Sequence, residues 1–296
     1  MRTKKRLDKL FREADRICFN QNAKVVLMSD CHRGTGTHGD NYLNNSPLAF
    51  AALTYYYQRQ FTYIELGDGD ELWENRNPEA IIQAHSNVFW LLSRFYCQGR
   101  FMMLYGNHDR KKQNPRYVKR YYDKYYCDTE DCKCDLFPKI DIKEGIVLEE
   151  CCTKNQIFLV HGHQGDLLND VLWRITSFLV RHLWKKLELI GVQDPTSAAK
   201  NYHKKKKTEK KLSSWAMHNH VMLIAGHTHR PVLPRPSESL YLNDGSCVHP
   251  RCITAMEIEN GCITLVKWCT MTNANRSMYV GREVLEGPYS IKDYFA

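Results

Sequence analysis

The chain has 296 residues, of which 43% are hydrophobic and 25% are charged, so a disordered or collagen-like chain is excluded. This length fits one large domain, or one domain that carries a sizeable insertion. Lysine and arginine number 42 against 33 aspartates and glutamates, which gives a formal net charge of +9. That excess favours contact with phosphates, nucleic acid or an anionic membrane surface, without distinguishing among them.

The first residues contain no apolar signal-peptide core, because Met1 is followed by Arg2-Thr3-Lys4-Lys5-Arg6. We therefore expect a cytoplasmic protein, with peripheral membrane contact as a further option. Most of the twelve cysteines are then expected to stay reduced and to serve as small buried side chains. The most apolar stretch, residues 167–190, is interrupted by charged residues, so no membrane span is expected.

An amphipathic helix is the first predicted element, at residues 1–20. Its apolar residues recur at helical spacing, namely Leu7, Leu10, Phe11, Ala14 and Ile17. Further helices are predicted at 46–60, which Ser46-Pro47 opens, and at 78–97. Five short apolar strands are predicted at 24–29, 61–66, 101–105, 157–160 and 221–225.

The pattern changes after the fourth strand. Residues 167–190 predict a helix with an apolar stripe that includes Leu172, Ile175, Leu179 and Leu183, and a lysine-rich stretch follows at 200–211. We interpret this segment as a helical insertion over the site. Short strands are then predicted at 239–242, 253–258 and 262–268, before an irregular tail from about residue 275.

Each of the five strands ends in a loop that is rich in aspartate, asparagine or histidine. In sheets built from alternating strands and helices, ligands bind at the carboxyl ends of strands, so these loops are expected to converge. The candidate side chains are Asp30, His32, Asp68, Asn107, His108, His161, His163, His227 and His229.

Carboxylate, amide and imidazole donors suit Mn²⁺, Zn²⁺, Fe²⁺ or Co²⁺. These donors are too many for one ion, whereas two ions that share a bridging carboxylate would use them. A single Asp-x-His or His-x-His block is more often an ordinary turn than a metal site. Five such blocks, each after a strand, are much harder to explain as turns.

These motifs resemble those of the calcineurin-like metallophosphoesterases over residues 25–230. They are, in chain order, Asp30-x-His32, Gly67-Asp68-x-x-Glu71, Gly106-Asn107-His108-Asp109, His161 at a strand end, and Gly226-His227-x-His229. The resemblance implies an α+β fold of four layers, in which two β-sheets pack face to face between outer helices. It also implies a single metallophosphoesterase domain over residues 1–296, with a helical cap insertion at about 166–219.

The resemblance also implies a role for each position. Asp68 would bridge the two ions, of which Mn²⁺ is the favoured metal. The other ligands would be Asp30, His32 and His229 for the first ion, and Asn107, His161 and His227 for the second. His108 would face the phosphate, with Glu71 as its acidic partner, while His163 would either replace His161 or support it from behind. A water bridging the ions would lose its proton and attack phosphorus in line, hydrolysing a phosphate ester or pyrophosphate.

Within this family, three motifs resemble the UDP-2,3-diacylglucosamine hydrolases. They are Glu71-Leu72-Trp73, His161-Gly162-x-x-Gly165-Asp166 and Arg230-Pro231. The resemblance implies a substrate in which a nucleotide is linked to a lipid or sugar. The chain departs from those enzymes at His108, where they usually have arginine, at the additional His163, and in a tyrosine- and cysteine-rich stretch at 117–134.

Several alternatives remain open from the sequence. The stripe on 167–190 faces either the core or a lipid, and the lysine run is either a solvated face or a contact with anionic lipid or polyphosphate. Nucleic acid is a less favoured partner, and a nuclease-like phosphodiesterase would be indicated by a basic groove flanking the metals. A non-catalytic binding protein on the same fold would be indicated by lost ligands.

Cys127, Cys132 and Cys134, with Cys151 and Cys152, form a weaker candidate zinc site.

Overall fold

The computed structural model describes residues 2–37, 39–127, 131–166 and 202–296. The helix predicted at 167–190, with its apolar stripe, lies outside the described residues. The hypothesis of a lipid-covering cap falls on the same residues. The division into one domain with an insertion therefore stays a prediction.

Helices and strands alternate through the first half of the chain. The helices are α1 (Arg2–Glu13), α2 (Ser46–Gln58), α3 (Pro78–Ala84), α4 (Ser86–Cys97), α5 (Pro115–Tyr122) and α6 (Tyr202–Asn219). The strands up to residue 160 are β1 (Asp15–Phe19), β2 (Val25–Met28), β3 (Thr62–Leu66), β4 (Phe101–Leu104), β5 (Lys124–Cys127), β6 (Cys132–Asp135), β7 (Gly145–Glu150) and β8 (Gln156–Val160). The later strands are β9 (Met222–Ala225), β10 (Tyr241–Asn243), β11 (Cys252–Glu259), β12 (Cys262–Thr272) and β13 (Met278–Ser290).

Two mixed sheets form the centre of the fold. One has the strand order β1-β7-β8-β9-β10 and the other has the order β13-β12-β11-β2-β3-β4. Strands β2, β3 and β4 run parallel, as do β8, β9 and β10. Strands β5 and β6 form a separate antiparallel hairpin. The parallel strands direct their carboxyl ends, and the loops that follow them, to one edge of each sheet.

Strand β2 shows why the fold has four layers. Side chains of a strand alternate between faces, and all four residues of β2 are buried. Leu27 belongs to the core between the sheets, together with Leu159 of the other sheet. Val26 belongs to a second core with Leu53 of α2. Helices α1 and α6 cover the outer face of the five-stranded sheet, so each sheet lies between its partner and a helical layer.

The structure corrects the prediction at three places. The N-terminal helix ends at Glu13, and residues 15–19 form β1, because they pair in parallel with β7 at the sheet edge. The helix predicted at 78–97 is interrupted at His85, whose ring Nε2 lies 2.8 Å from Asp40 Oδ2. The tail from residue 275 is not irregular, because β13 pairs with β12 over almost its whole length. Each correction depends on a contact with a distant part of the chain.

The cysteines also differ from the prediction. Cys18 and Cys151 are joined as a disulfide, with their Cα atoms 5.5 Å apart. The other ten cysteines are not joined in disulfides, but only Cys31 and Cys247 among them are buried, so the expectation of mostly buried thiols was wrong. Many of the remaining cysteines lie in β-hairpins and edge strands that contact solvent.

The candidate cysteine zinc site is not assembled either. Cys127 and Cys132 face each other across the β5–β6 hairpin, and the sulfurs of Cys132 and Cys134 are 3.7 Å apart. Cys151 is held by Cys18 instead. Within the described ranges, no three cysteine sulfurs approach one another closely enough to share an ion. None of the described helices is both long and apolar enough to cross a membrane.

We predict that Leu159→Ala lowers the free energy of unfolding by about 2–5 kcal/mol, because it leaves a cavity between the sheets. Leu159 is fully buried there, whereas Val284 on the edge strand β13 is 48% exposed. Val284→Ala is the matched control and should cost less than about 1 kcal/mol. Urea unfolding of both variants measures the difference. Equal losses would contradict the assignment of Leu159 to the core.

Candidate metal centre

Backbone hydrogen bonds join the loops after four of the strands in two pairs. The amide of Asp30, after β2, donates to the carbonyl of Gly67, after β3, at 3.1 Å. The amide of His32 likewise donates to the carbonyl of Asp68 at 2.9 Å. On the other sheet, the amide of Gly226, after β9, donates to the carbonyl of His161, after β8, at 2.9 Å. These bonds hold the predicted ligand loops against one another.

Asp30, His32 and His229 form the first group of candidate ligands. Their donor atoms all lie within 4.8 Å of one another. Asp30 Oδ1 is 2.9 Å from His229 Nε2 and 3.6 Å from His32 Nε2, and the two imidazole Nε2 atoms are 3.3 Å apart. This spacing brings one carboxylate and two imidazoles from opposite sheets to a common point.

Asp68, His161 and His227 form the second group, again with donor atoms within 4.8 Å of one another. His161 Nδ1 lies 3.0 Å from the carbonyl oxygen of Leu66, which can only accept, so this nitrogen carries the proton. His161 Nε2, which lies 3.0 Å from Asp68 Oδ2, is therefore the ring nitrogen that could face a bound cation. Asn107 comes from the neighbouring loop after β4, and its side chain is buried.

Asp68 belongs to the second group, and the charge of a histidine in the first group also acts on its carboxylate. Its Oδ1 accepts a hydrogen bond of 2.7 Å from the amide of His108, while its Oδ2 approaches His161. Burial alone raises the pKa of Asp68, but the charges of His161, His108 and His32 lower it well below its ordinary value. The carboxylate is therefore ionised, as a ligand shared between two cations requires.

Several buried side-chain oxygen and nitrogen atoms of these residues, although some lie close to a neighbouring charged group, form no hydrogen bond of normal geometry with the described residues. They are Asp30 Oδ1, both side-chain polar atoms of Asn107, His161 Nε2 and His227 Nε2. An unpaired buried polar group costs about 1–3 kcal/mol, so such a concentration calls for a ligand. Oxygen and nitrogen lone pairs gathered in this way suit divalent cations, and the residues present therefore fit the expected metals.

Five of the seven candidate ligands also share an unusual backbone conformation. The φ angles are 51° at Asp30, 49° at His32, 50° at Asp68, 65° at His227 and 53° at His229. Residues other than glycine rarely adopt this left-handed conformation, and they do so at a cost that the surrounding structure must offset. The strain turns each side chain from the strand end toward the common centre. No pattern in the amino-acid sequence predicts this left-handed conformation.

His108 lies beside the two groups and is oriented by Glu71. Its Nδ1 is 2.7 Å from Glu71 Oε2, and the same carboxylate lies 2.9 Å from Nδ1 of His32. Trp73 stacks on the His108 ring at a centroid distance of 4.0 Å. Burial lowers the pKa of His108, but the charges of Glu71 and Asp68 raise it above its ordinary value. The structure thus places an imidazole with a raised pKa, 23% exposed, next to the candidate ligands.

His163 occupies a different place from His161. It is fully buried, and its Nε2 lies 3.8 Å from Glu144 Oε1, behind the ligand loop. Its donor atoms do not join the group of Asp68, His161 and His227. Burial and the neighbouring His161 lower the pKa of His163 well below its usual value, so its ring is neutral. The geometry favours His161 as the ligand and His163 as a residue that packs behind it.

Asp109 has a supporting function that sequence analysis did not assign. Its carboxylate accepts hydrogen bonds from the amides of Gly106 at 2.7 Å, Gly69 at 3.2 Å and Asp68 at 3.3 Å. It therefore ties the loop of Asp68 to the loop of Asn107 and His108. Its place in the Gly-Asn-His-Asp motif was the available signal.

Two further supports come from distant parts of the chain. The Ser29 hydroxyl lies 2.5 Å from Asp30 Oδ2 and 2.8 Å from Asp244 Oδ1, and so links the two carboxyl groups. Glu209 of α6 accepts a hydrogen bond of 3.0 Å from Thr228, which lies between His227 and His229. Neither Asp244 nor Glu209 belongs to a recognisable motif, so only the folded chain identifies them.

No curated protein sequence matches the chain significantly. Among solved structures, Vps29 of Chaetomium thermophilum aligns with 90% of this chain and 96% of its own, at 10% identity and a TM-score of 0.39. The same protein complexed with the RaPID-derived cyclic peptide RT-D3 aligns over 89% and 95%, at 10% identity and a TM-score of 0.37.

The family model described as calcineurin-like phosphoesterase matches residues 23–231, which cover all the candidate ligands. The predicted α+β fold, with two packed sheets flanked by helices, is confirmed. The chain belongs to the calcineurin-like phosphoesterase family.

Proposed function

We propose that the protein is a hydrolase of phosphate esters or phosphoanhydrides that uses two divalent metal ions. The observation that carries the proposal is the pair of adjacent ligand groups with unpaired buried donors. Asp30, His32 and His229 would hold one ion, and Asn107, His161 and His227 the other. Asp68 would contribute to both. We favour Mn²⁺ because the donors combine carboxylate, amide and imidazole groups, with Zn²⁺, Fe²⁺ and Co²⁺ as alternatives.

Bound divalent ions would polarise a phosphoryl group and lower the pKa of a nearby water. The side chains of the protein would contribute electrostatic stabilisation and would orient the substrate. His108, held by Glu71 and stacked on Trp73, would direct its free Nε2 at the substrate, where it can stabilise a phosphate oxygen or protonate the leaving oxygen. The buried donor set would keep bulk water away, which strengthens these electrostatic interactions.

Two substrate classes are candidates for a hydrolase, and a protein without turnover is the third possibility. The Glu71-Leu72-Trp73 motif supports a pyrophosphate linked to a nucleotide and a lipid or sugar, as in the UDP-2,3-diacylglucosamine hydrolases it resembles. A phosphodiesterase acting on nucleic acid is the second candidate, and a strongly basic cleft beside the ligand loops favours it. The third possibility is a binding protein that holds metals without turnover, as an intact ligand set permits.

A substrate panel tests the proposal directly. We expect metal-loaded protein to hydrolyse phosphomonoesters, phosphodiesters or nucleotide diphosphate sugars, and dialysis against a chelator to abolish turnover. Release of nucleoside monophosphate from a nucleotide diphosphate sugar would support the pyrophosphatase branch, and cleavage of oligonucleotides the nuclease branch. Two bound metals without turnover on any class would contradict hydrolysis and favour the binding protein.

We predict that Asp68→Ala lowers the metal content of both positions and abolishes hydrolysis, because one carboxylate serves two cations. Metal stoichiometry of the purified variant, measured by elemental analysis, gives the readout. Asp135→Ala, which removes a carboxylate that is 64% exposed on the β5–β6 hairpin, is the matched control and should change neither quantity. A variant at Asp68 that retains two metals and near-normal turnover would disprove the bridging role.

His108→Ala is expected to retain both metals and to lose about 10²–10⁴-fold in kcat, since a positioned acid contributes that much. His161→Ala should instead lose metal, because His161 belongs to the second ligand group. Elemental analysis and steady-state kinetics on a chromogenic phosphoester separate the two effects. Loss of metal from the His108 variant alone would reverse the two assignments.

A further inference from the structure

A large cleft lies between helices α1 and α6, beside the candidate metal centre. Its volume is about 1540 Å³, and the described residues that line it include nine lysines or arginines but only two glutamates. A pocket for one small molecule has a volume of roughly 300–1,000 Å³, so this cleft has room for an extended ligand. The concentration of positive charge indicates that such a ligand is an anion.

The two helices contribute charge from opposite walls. Arg2 and Lys5 on α1, and Lys207 and Lys210 on α6, are exposed and line the cleft. Within the described part of the chain, these four side chains form no ion pair. Facing cations repel one another, and the described lining residues include too few carboxylates to neutralise them. A bound polyanion would relieve this repulsion.

The floor of the cleft continues into the ligand loops. Tyr105 and Arg110 flank the Gly106-Asn107-His108-Asp109 motif, and Gln164 directly follows His163. Gln164 accepts a hydrogen bond of 3.0 Å from the amide of Gly162 and donates one of 3.1 Å to Glu144. A chain held in the cleft would therefore lie next to the loops that carry Asn107, His108 and His161.

Helix α6 also joins the cleft to the metal centre. Lys211 lines the cleft and donates a hydrogen bond of 2.8 Å to the carbonyl of Gly165. Glu209, two residues earlier, is buried and accepts a hydrogen bond from Thr228 between two candidate ligands. The same helix thus provides cations to the cleft and supports the loop of His227 and His229.

We propose that this cleft binds a linear chain of phosphate groups, such as single-stranded nucleic acid or inorganic polyphosphate. Its concave form, with cations on both walls, encloses a narrow chain, whereas a flat bilayer would contact only the rims. The aromatic lining residues Trp215 and Tyr105 are buried, so they offer no surface on which bases could stack. The cleft would therefore recognise the phosphate groups of the ligand and not its bases.

Binding can be measured without turnover, so the test is independent of the proposed hydrolysis. The full-length, metal-free protein is titrated with fluorescent 20-residue oligonucleotides of thymidine or of adenosine, in fluorescence anisotropy at several salt concentrations. Unlabelled polyphosphate of similar length serves as a competitor. Vesicles of phosphatidylserine and phosphatidylcholine, tested by co-sedimentation, form the membrane arm.

The test variant is Lys5→Gln/Lys207→Gln/Lys210→Gln. The matched control is Lys119→Gln/Lys133→Gln/Lys206→Gln, which removes the same charge from exposed lysines outside the cleft. We expect the test variant to bind about 100-fold more weakly at 0.1 M salt, and the slope of log K against log salt to fall by about 2. Neither set lies in the catalytic machinery, so turnover of a small chromogenic phosphoester should be unchanged.

The arms of the experiment separate the outcomes. Similar affinity for both oligonucleotides supports recognition of phosphates, and displacement by polyphosphate supports the general phosphate chain over nucleic acid alone. Equal weakening by the test and control variants would overturn the cleft as the binding site. Binding to vesicles with none to either phosphate chain would overturn the proposal in favour of a membrane surface.

Discussion

The candidate metal centre depends on a network of buried charges beneath it. Arg33 donates two hydrogen bonds to Glu65 and one to Asp70, at 2.7–2.8 Å. Lys112 contacts Asp70 at 2.8 Å and Asp109 at 2.9 Å. Every member of this network is almost completely buried. Because an uncompensated buried charge costs about 3–5 kcal/mol, loss of any one partner would disturb all the others.

This network explains how the strained ligand loops persist. Asp109 forms its ion pair with Lys112 and at the same time receives the amides of Gly106, Asp68 and Gly69. The loop after β3 and the loop after β4 are thereby fixed to one anchor. The left-handed conformation at Asp68 is thus offset by bonds that form only in the folded chain. A rigid base of this kind holds ligands in position before any ion binds.

Glu71 connects the ligands with the residue that faces substrate. Its two oxygens contact Nδ1 of His32 and Nδ1 of His108, so one carboxylate orients a candidate ligand and a candidate acid. Both imidazoles are then left with Nε2 for other partners. On the opposite side, Glu209 holds the loop of His227 and His229 from helix α6. Acidic residues outside the two proposed ligand groups thus help to position the histidines and their loops.

The order of motifs along the sequence was enough to predict the family, the six-stranded sheet's central strands and the candidate ligands. Metal ligation requires particular side chains at strand ends, and buried parallel strands are short apolar runs, so both are visible in a linear pattern. Strands β1 and β13 could not be predicted, because an edge strand is defined by the strand with which it pairs in the folded chain.

Within the site, only the tertiary structure distinguished His161 from His163. The two residues have the same chemistry and are separated by one glycine, and the choice depends on which ring reaches Asp68. Only the tertiary structure likewise identifies Asp244 and Glu209 as supporting residues. It also forms the basic cleft, whose walls are more than 190 positions apart in sequence. The sequence by itself determined which chemical groups the chain carries at its strand ends. Their distances, burial and partners arise from contacts between remote segments, which no local pattern encodes.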